Sequence, residues 1–195
     1  MVKKKAAESA PPNKIRRKDR AKDDQWIRNF LRYGAVGTMA TSKDSQPFLV
    51  TRNYVYDESQ HAIYIHGAKK GRTIDNIQYN ENVCFTVAKM GRLLPASDVI
   101  EVSVEYAGVV VFGKATIVSE SDEALYGLEL LLTKYFPHIK SGLDDKPISP
   151  DSLNNTAVIK IDIDYWSGKE NKVRDDFPGA FFYDENQVNL DLYKR

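Results

Sequence analysis

Residues 46–87 read "QPFLVTRNYVYDESQHAIYIHGAKKGRTIDNIQYNENVCFTV". The run "FLVTRNYVYD" alternates, "DESQH" supplies a turn and "AIYIH" alternates again, which predicts a β-hairpin. The next residues, "GAKKGRT", form a loop with two glycines and four potential anion ligands: Lys69, Lys70, Arg72 and Thr73. "TIDNIQYNEN" then puts Ile74, Ile77 and Gln78 on one face of a short helix. "VCFTVAKM" returns to a strand. Strands therefore follow one another with one short helix inserted, which argues against a doubly wound parallel sheet.

Working outward, the same grammar continues. "DDQWIRNFLRYG" predicts a helix with Asp23 or Asp24 as its cap, Trp26, Ile27, Phe30 and Leu31 on one face, and Gly34 as its stop. "AVGTMAT" is a short strand and "SKDSQP" a turn. "VIEVSVEYAGVVVFGKATIVS" is long enough to be two strands or one bent strand, with Gly108 and Gly113 permitting the bend. "SESDEALYGLELLLTKYFP" predicts a helix capped by Ser119 or Ser121 and ended by Pro137. "HIKSGLDDKPISPDSLNN" reads as a loop and "TAVIKIDIDYW" as a last alternating strand. The tail beyond Lys172 carries few periodic signals. The fold class that fits is mainly β: an antiparallel, closed or nearly closed barrel with a few peripheral helices.

The chain has 195 residues, 42% hydrophobic and 28% charged, enough for one domain with a real core. Its formal net charge of +1 gives no global argument for a nucleic-acid partner. Charge is uneven, however. Up to Lys22 the chain is strongly basic and its only acids are Glu8 and Asp19. Residues 1–20 read as a flexible basic arm, with contact to nucleic acid or a partner as the functional alternative. The domain spans 21–172 and a C-terminal extension 173–195. Cys84 is the single cysteine, so no disulfide forms within the chain and a reducing compartment fits. The basic start has no apolar segment behind it and no run approaches a membrane span, so the reading is a cytoplasmic protein with no membrane partner.

The loop carries the chemistry. Backbone amides at a helix N-terminus favour an anion, glycines allow close approach, and lysine, arginine and a hydroxyl complete a phosphate seat. A solvated basic turn would look the same from these residues alone. The spacing is not that of a Walker loop. His61, His66 and His138 are scattered, so no metal site is expected. No serine elbow of the G-x-S-x-G type is present. Asp162 and Asp164 alternate on a strand, where acids are usually just solvated.

The ordered series from 46 to 87 resembles the pyridoxamine 5′-phosphate oxidase-like flavoproteins, which have an FMN-binding split β-barrel. It is most similar to the branch of the 5-nitroimidazole-resistance proteins. "MGRLLPA", "SVEYAGVVVFGKA", "LLLTKYFPH" and "DIDYWSGK" extend the likeness over roughly residues 18–172. The resemblance implies FMN as cofactor, with Val50, Thr51, Arg52 and Asn53 on the strand beneath the flavin ring. It implies His66 and Gly67 beside the ring and ribityl chain, with His66 as a candidate catalytic proton donor. It implies Lys69, Lys70, Arg72 and Thr73 at the phosphate. It further implies a homodimer with the flavin at the subunit interface, where Trp166 and Lys169 of a second copy contribute, and with Glu105 and Tyr106 as candidates there. Trp166 could equally be core. The vitamin B6 oxidases carry Arg-Lys in the phosphate turn and a basic R-L-x-P type ending. Here the pair is Arg72–Thr73 and the chain ends "NLDLYKR", which argues against that activity. The expected function is an FMN-dependent oxidoreductase passing electrons from NAD(P)H or another donor to a small-molecule acceptor. The alternative is a flavin-binding module without turnover.

Overall fold

The computed structural model describes residues 12–138 and 149–184. Residues 1–11, 139–148 and 185–195 lie outside the described residues, and with them most of the expected arm and the end of the extension. Among the described residues the elements run β1 (Ala21–Lys22), α1 (Asp24–Tyr33), β2 (Gly37–Lys43), β3 (Gln46–Arg52), β4 (Val55–Asp57), β5 (Ala62–Ala68), α2 (Arg72–Tyr79), β6 (Asn82–Leu94), β7 (Ser103–Ile117), α3 (Ser121–Tyr135), β8 (Thr156–Asn171) and β9 (Phe181–Phe182). All pairings are antiparallel, in the order β3-β2-β6-β7-β8-β5-β4, with β1 on β8 and β9 on β6. This is the split-barrel architecture. No helix among the described residues is long and apolar enough to cross a membrane.

Period-two alternation builds the barrel interior. Met39, Phe85, Val111, Ile159 and Ile161 point inward and are essentially inaccessible. α1 closes one end: the Asp23 carboxylate accepts from the Trp26 amide at 2.8 Å, and Ile27 and Leu31 bury into the core. Each such side chain contributes about 1.5–3 kcal/mol by leaving water. The long valine-rich segment is a single 15-residue strand, β7. β8 likewise runs 16 residues, longer than the expected strand.

Four local expectations are corrected. "FLVTRNYVYD" is two strands, broken at Asn53–Tyr54. There the Tyr54 amide donates to the Tyr135 hydroxyl at 3.0 Å instead of to a ladder, and the chain leaves β2 for β5. β5 does not alternate: Ala62, Ile63, Tyr64 and Ile65 are all buried, because α3 covers the face turned away from the barrel. α3 starts after Glu120 with no side-chain cap, so neither Ser119 nor Ser121 serves. In α2 the buried partner of Ile74 and Ile77 is Asn76, while Gln78 is exposed.

The described part of the N-terminal segment does not hang free. Asn13 Nδ2 donates to the Trp166 carbonyl at 3.1 Å, Arg20 Nη1 donates to the Tyr106 hydroxyl at 3.1 Å, and β1 pairs with Gly168–Lys169. The described part of the extension is tied down too. Glu105 accepts from Arg92 Nη2 at 2.8 Å and from the Val173 amide at 3.0 Å, which holds its carboxyl down to about 2. Glu105 thus ties β7 to Arg92 and to the start of the extension.

The barrel's outer face carries apolar and hydroxyl side chains in rows. Register puts Leu49, Ala40, Cys84, Phe112 and Tyr165 in one row across five strands. Thr51, Thr38, Thr86, Val110 and Ser167 form the next row.

Candidate functional site

The sheet does not close on itself between β3 and β5. β3 is an edge strand, and the β4–β5 ladder ends at Val55↔Tyr64, short of Ile65–Ala68. A cleft of about 160 Å³ lies at this seam, lined by Phe48, Val50 and Arg52 of β3, Gly67 and Ala68 of β5, Ile159 of β8, and the turn Lys70–Ile74. Six expected residues therefore meet in one cleft: Val50, Arg52, Gly67, Lys70, Arg72 and Thr73.

The turn is shaped for an anion. Gly71 has φ +122°, which side-chain-bearing residues rarely adopt, and it caps α2 without offering any side chain. The first amides of α2 thus point out of the helix at its positive end, with no side-chain cap. The Arg72 guanidinium carbon sits 5.3 Å from the centre of the Phe48 ring. Arg52 is the unusual residue. Its Nε is buried without a hydrogen-bond partner. A Cβ on Gly67 would come within 3.2 Å of the Arg52 guanidinium carbon, so the glycine is the notch that admits it. Among the described residues none of Arg52, Lys69, Lys70 and Arg72 has a hydrogen-bonded or ion-paired partner. Arg52, Lys70 and Arg72 line the cleft at a helix N-terminus whose first turn carries the exposed Asp75, and the three cations repel each other unless an anion joins them.

A larger hollow of about 600 Å³ is lined by Asn53 and His66 together with Leu131, Leu132, Tyr135 and Thr156. Asn53 and His66 are the chain neighbours of the cleft residues Arg52 and Gly67. His66 is open on one side. Enclosure on its other side, and secondly the charge of Arg52, push its pKa below the ordinary imidazole value. It is therefore neutral at pH 7. A cleft of this size holds a phosphate and little more, whereas the hollow falls within the range of small-molecule sites.

The remaining expected residues fall elsewhere. Thr51 faces the outer surface, where its hydroxyl meets that of Thr38 at 2.8 Å, so it can give the seam only backbone groups. Lys69 is exposed and does not line the cleft. Trp166 and Lys169 are not brought to the seam of their own chain. Trp166 points inward: its Nε1 donates to Asp24 at 2.9 Å, His61 packs edge-on at 4.6 Å and Arg28 covers the ring at 5.4 Å. Lys169 points outward beside Tyr106, 5.9 Å from its ring centre. Five cleft residues escaped the sequence reading: Phe48, Ala68, Gly71, Ile74 and Ile159. Phe48 was legible, since it shares strand parity with Val50 and Arg52. Gly71 was not, because its role depends on a backbone angle.

A family model described as pyridoxamine 5′-phosphate oxidase matches residues 23–170. The chain resembles in fold the flavocytochrome Anf3 from Azotobacter vinelandii, at 17% identity over 90% of this chain and 86% of that one, with a TM-score of 0.75. It resembles the FAD and heme binding protein from Mycobacterium smegmatis at 17% identity, covering 77% of this chain and 72% of that one, TM-score 0.68. A protein assigned to 5-nitroimidazole antibiotic resistance from Bacteroides thetaiotaomicron aligns at 21% identity over 76% of this chain and 84% of that one, TM-score 0.62. Identities this low speak for the fold alone. No curated protein matches the chain.

Proposed function

Because the chain belongs to the pyridoxamine 5′-phosphate oxidase family, we propose that it binds FMN and acts as an oxidoreductase on a small acceptor, with NAD(P)H or another donor supplying the electrons. One observation carries this reading: Arg52, Lys70 and Arg72 converge unpartnered on the uncapped N-terminus of α2, with a buried Arg52 Nε lacking any acceptor. A terminal phosphate supplies the missing acceptors and charge, and the small cleft suits a monophosphate. Bound there, the flavin would provide the electron-transfer chemistry. The chain's own groups bind and orient. Arg52, Lys70, Arg72, Thr73 and the α2 amides hold the phosphate, with Lys69 adding charge nearby. Gly67 leaves room for the chain behind it, and Val50 and the Thr51 backbone line the strand below. Asn53 and His66 face the hollow; His66 is the candidate proton donor through its imidazolium form, which its lowered pKa makes the minor one at pH 7.

The second copy belongs to the same proposal. The rows through Val110 and Phe112 make a weakly polar face across five strands, with Leu49 and Tyr165 exposed by 63% and 50%. Such a face suits a self-complementary dimer. Thr51 lies on one side of it and Lys169 on the other, so a two-fold pairing carries the partner's Lys169 toward the seam. Trp166 is held by its own α1 and is left out of this pairing. Val110→Glu should yield monomers in sedimentation and weaken flavin binding, and an unchanged dimer would refute this use of the face. Free Cys84 suits the cytoplasm as the compartment.

The purified protein's absorbance spectrum tests the central reading, followed by chromatography of whatever flavin is released on denaturation. Flavin bands and released FMN are expected. A colourless protein that takes up no added FMN, released FAD, or a haem spectrum would overturn it. NAD(P)H consumption with nitro, quinone and azo acceptors then separates an enzyme from a flavin-binding module.

A further inference from the structure

α2 is eight residues long, too short to be stable by itself, so something must fix where its N-terminus sits. Ile74 and Ile77 bury it against the barrel, but apolar contact is non-directional and leaves the helix free to slide. The third inward residue is polar. Asn76 is only 4% exposed, and its Nδ2 donates to Thr41 Oγ1 at 2.9 Å, with Thr41 itself 3% exposed. The Thr41 hydroxyl in turn donates, at a long 3.5 Å, to the carbonyl of Phe48 on β3. Phe48 is the residue whose ring underlies Arg72. One buried hydroxyl therefore accepts from α2 and donates toward β3, and it joins the two walls of the cleft. At the helix's other end Asn80 Nδ2 donates to Ser42 Oγ at 3.1 Å, a more accessible second pin to the same strand.

We infer that Thr41 and Asn76 are positioning residues of the anion seat, holding the α2 amides, Arg72 and Thr73 at the height where they share a phosphate with Arg52. The inference rests on the reading of that seat as the place of the flavin phosphate. A buried amide is directional and costly to leave unpaired, which an isoleucine in its place would not be. Asn76 gives up apolar burial in exchange for geometry.

The test compares FMN with riboflavin, which lacks only the phosphate, in wild type, Thr41→Val, Thr41→Ser and Asn76→Leu. Dissociation constants come from quenching of flavin fluorescence, and thermal midpoints of the flavin-free proteins report the fold. Thr41→Val and Asn76→Leu are expected to bind riboflavin as wild type does and to lose about tenfold or more of the preference for FMN. Thr41→Ser, which keeps the hydroxyl, restores that preference. An unchanged preference in Thr41→Val overturns the inference, and so does a parallel loss of both flavins. Wild-type protein that binds the two flavins equally overturns the phosphate reading itself, and the inference with it.

Discussion

Replacing Arg52 by methionine separates a ligand-binding arginine from a structural one, because the two predict opposite signs. Methionine keeps the length and apolar stem and removes every donor. Arg52 Nε is buried and unpaired, and its guanidinium lies against the Gly67 notch. An unsatisfied buried donor costs about 1–3 kcal/mol. Arg52→Met should therefore stabilise the flavin-free protein, and each kcal/mol recovered raises the melting midpoint by about 2–4 °C in a protein of this size. Flavin binding should move the other way. A hydrogen bond to a charged group is worth about 1.5–3 kcal/mol, so FMN should bind roughly 10- to 150-fold more weakly. Scanning fluorimetry of the flavin-free protein and fluorescence titration with FMN give the two numbers. His66 provides a third readout, since loss of the neighbouring charge should let its pKa rise partway back. A variant that melts lower and binds FMN as tightly as wild type would mean Arg52 serves the fold, and the argument from its orphaned nitrogen fails.

Other perturbations follow the same logic. Lys70→Ala with Arg72→Ala should weaken FMN at least about tenfold and leave riboflavin nearly unaffected; equal effects on both flavins in titration would put the phosphate elsewhere. His66 and His61 both have lowered pKa values, mainly through burial. The unfolded chain therefore takes up protons first, so the histidine contribution to stability should fall as pH drops through about 6.5. His66→Gln should remove part of that fall in urea unfolding. Lys134 is the reverse case in position but the same in sign. Burial pushes its ammonium from 10.5 down to about 8, although it donates to the Gly34 carbonyl at 2.8 Å and lies 3.9 Å over the Tyr54 ring. Stability should climb between about pH 8 and 10.5 as the folded form sheds its proton first, and Lys134→Met should abolish the climb.

Much of this was legible in residue order. The hairpin, the inserted helix and the long valine-rich run follow from alternation and turn residues, and these fix which strands neighbour the basic turn. The cleft residues Val50 and Arg52 share a parity that the sequence states outright. What was illegible depends on partners far along the chain. The break at Asn53–Tyr54 exists because a hydroxyl 81 residues later takes the Tyr54 amide. The complete burial of β5 requires α3 on its second face, and no local pattern announces a cover. Asn76 lies outside the face expected from Ile74, Ile77 and Gln78, and its buried partner Thr41 is 35 residues away in the chain.

The fate of Trp166 and Lys169 shows how one irregularity redirects a site. Three positions apart on a strand, they must face opposite sides, whatever the fold. Which faces which is decided upstream. Ile159, Ile161 and Ile163 point into the barrel. Continued alternation would turn Tyr165 and Lys169 inward and Trp166 out. The β7–β8 register slips at this point, with Gly113 opposite Ile163 but Phe112 opposite Tyr165, so Asp164 is the extra residue of a bulge. Beyond it every side chain changes sides. Trp166 goes inward onto α1 and His61, and Lys169 goes out to the face that also carries Val110 and Thr51. An exposed aspartate of no apparent consequence thus places Lys169 on the outer face beside Tyr106 and turns Trp166 away from it.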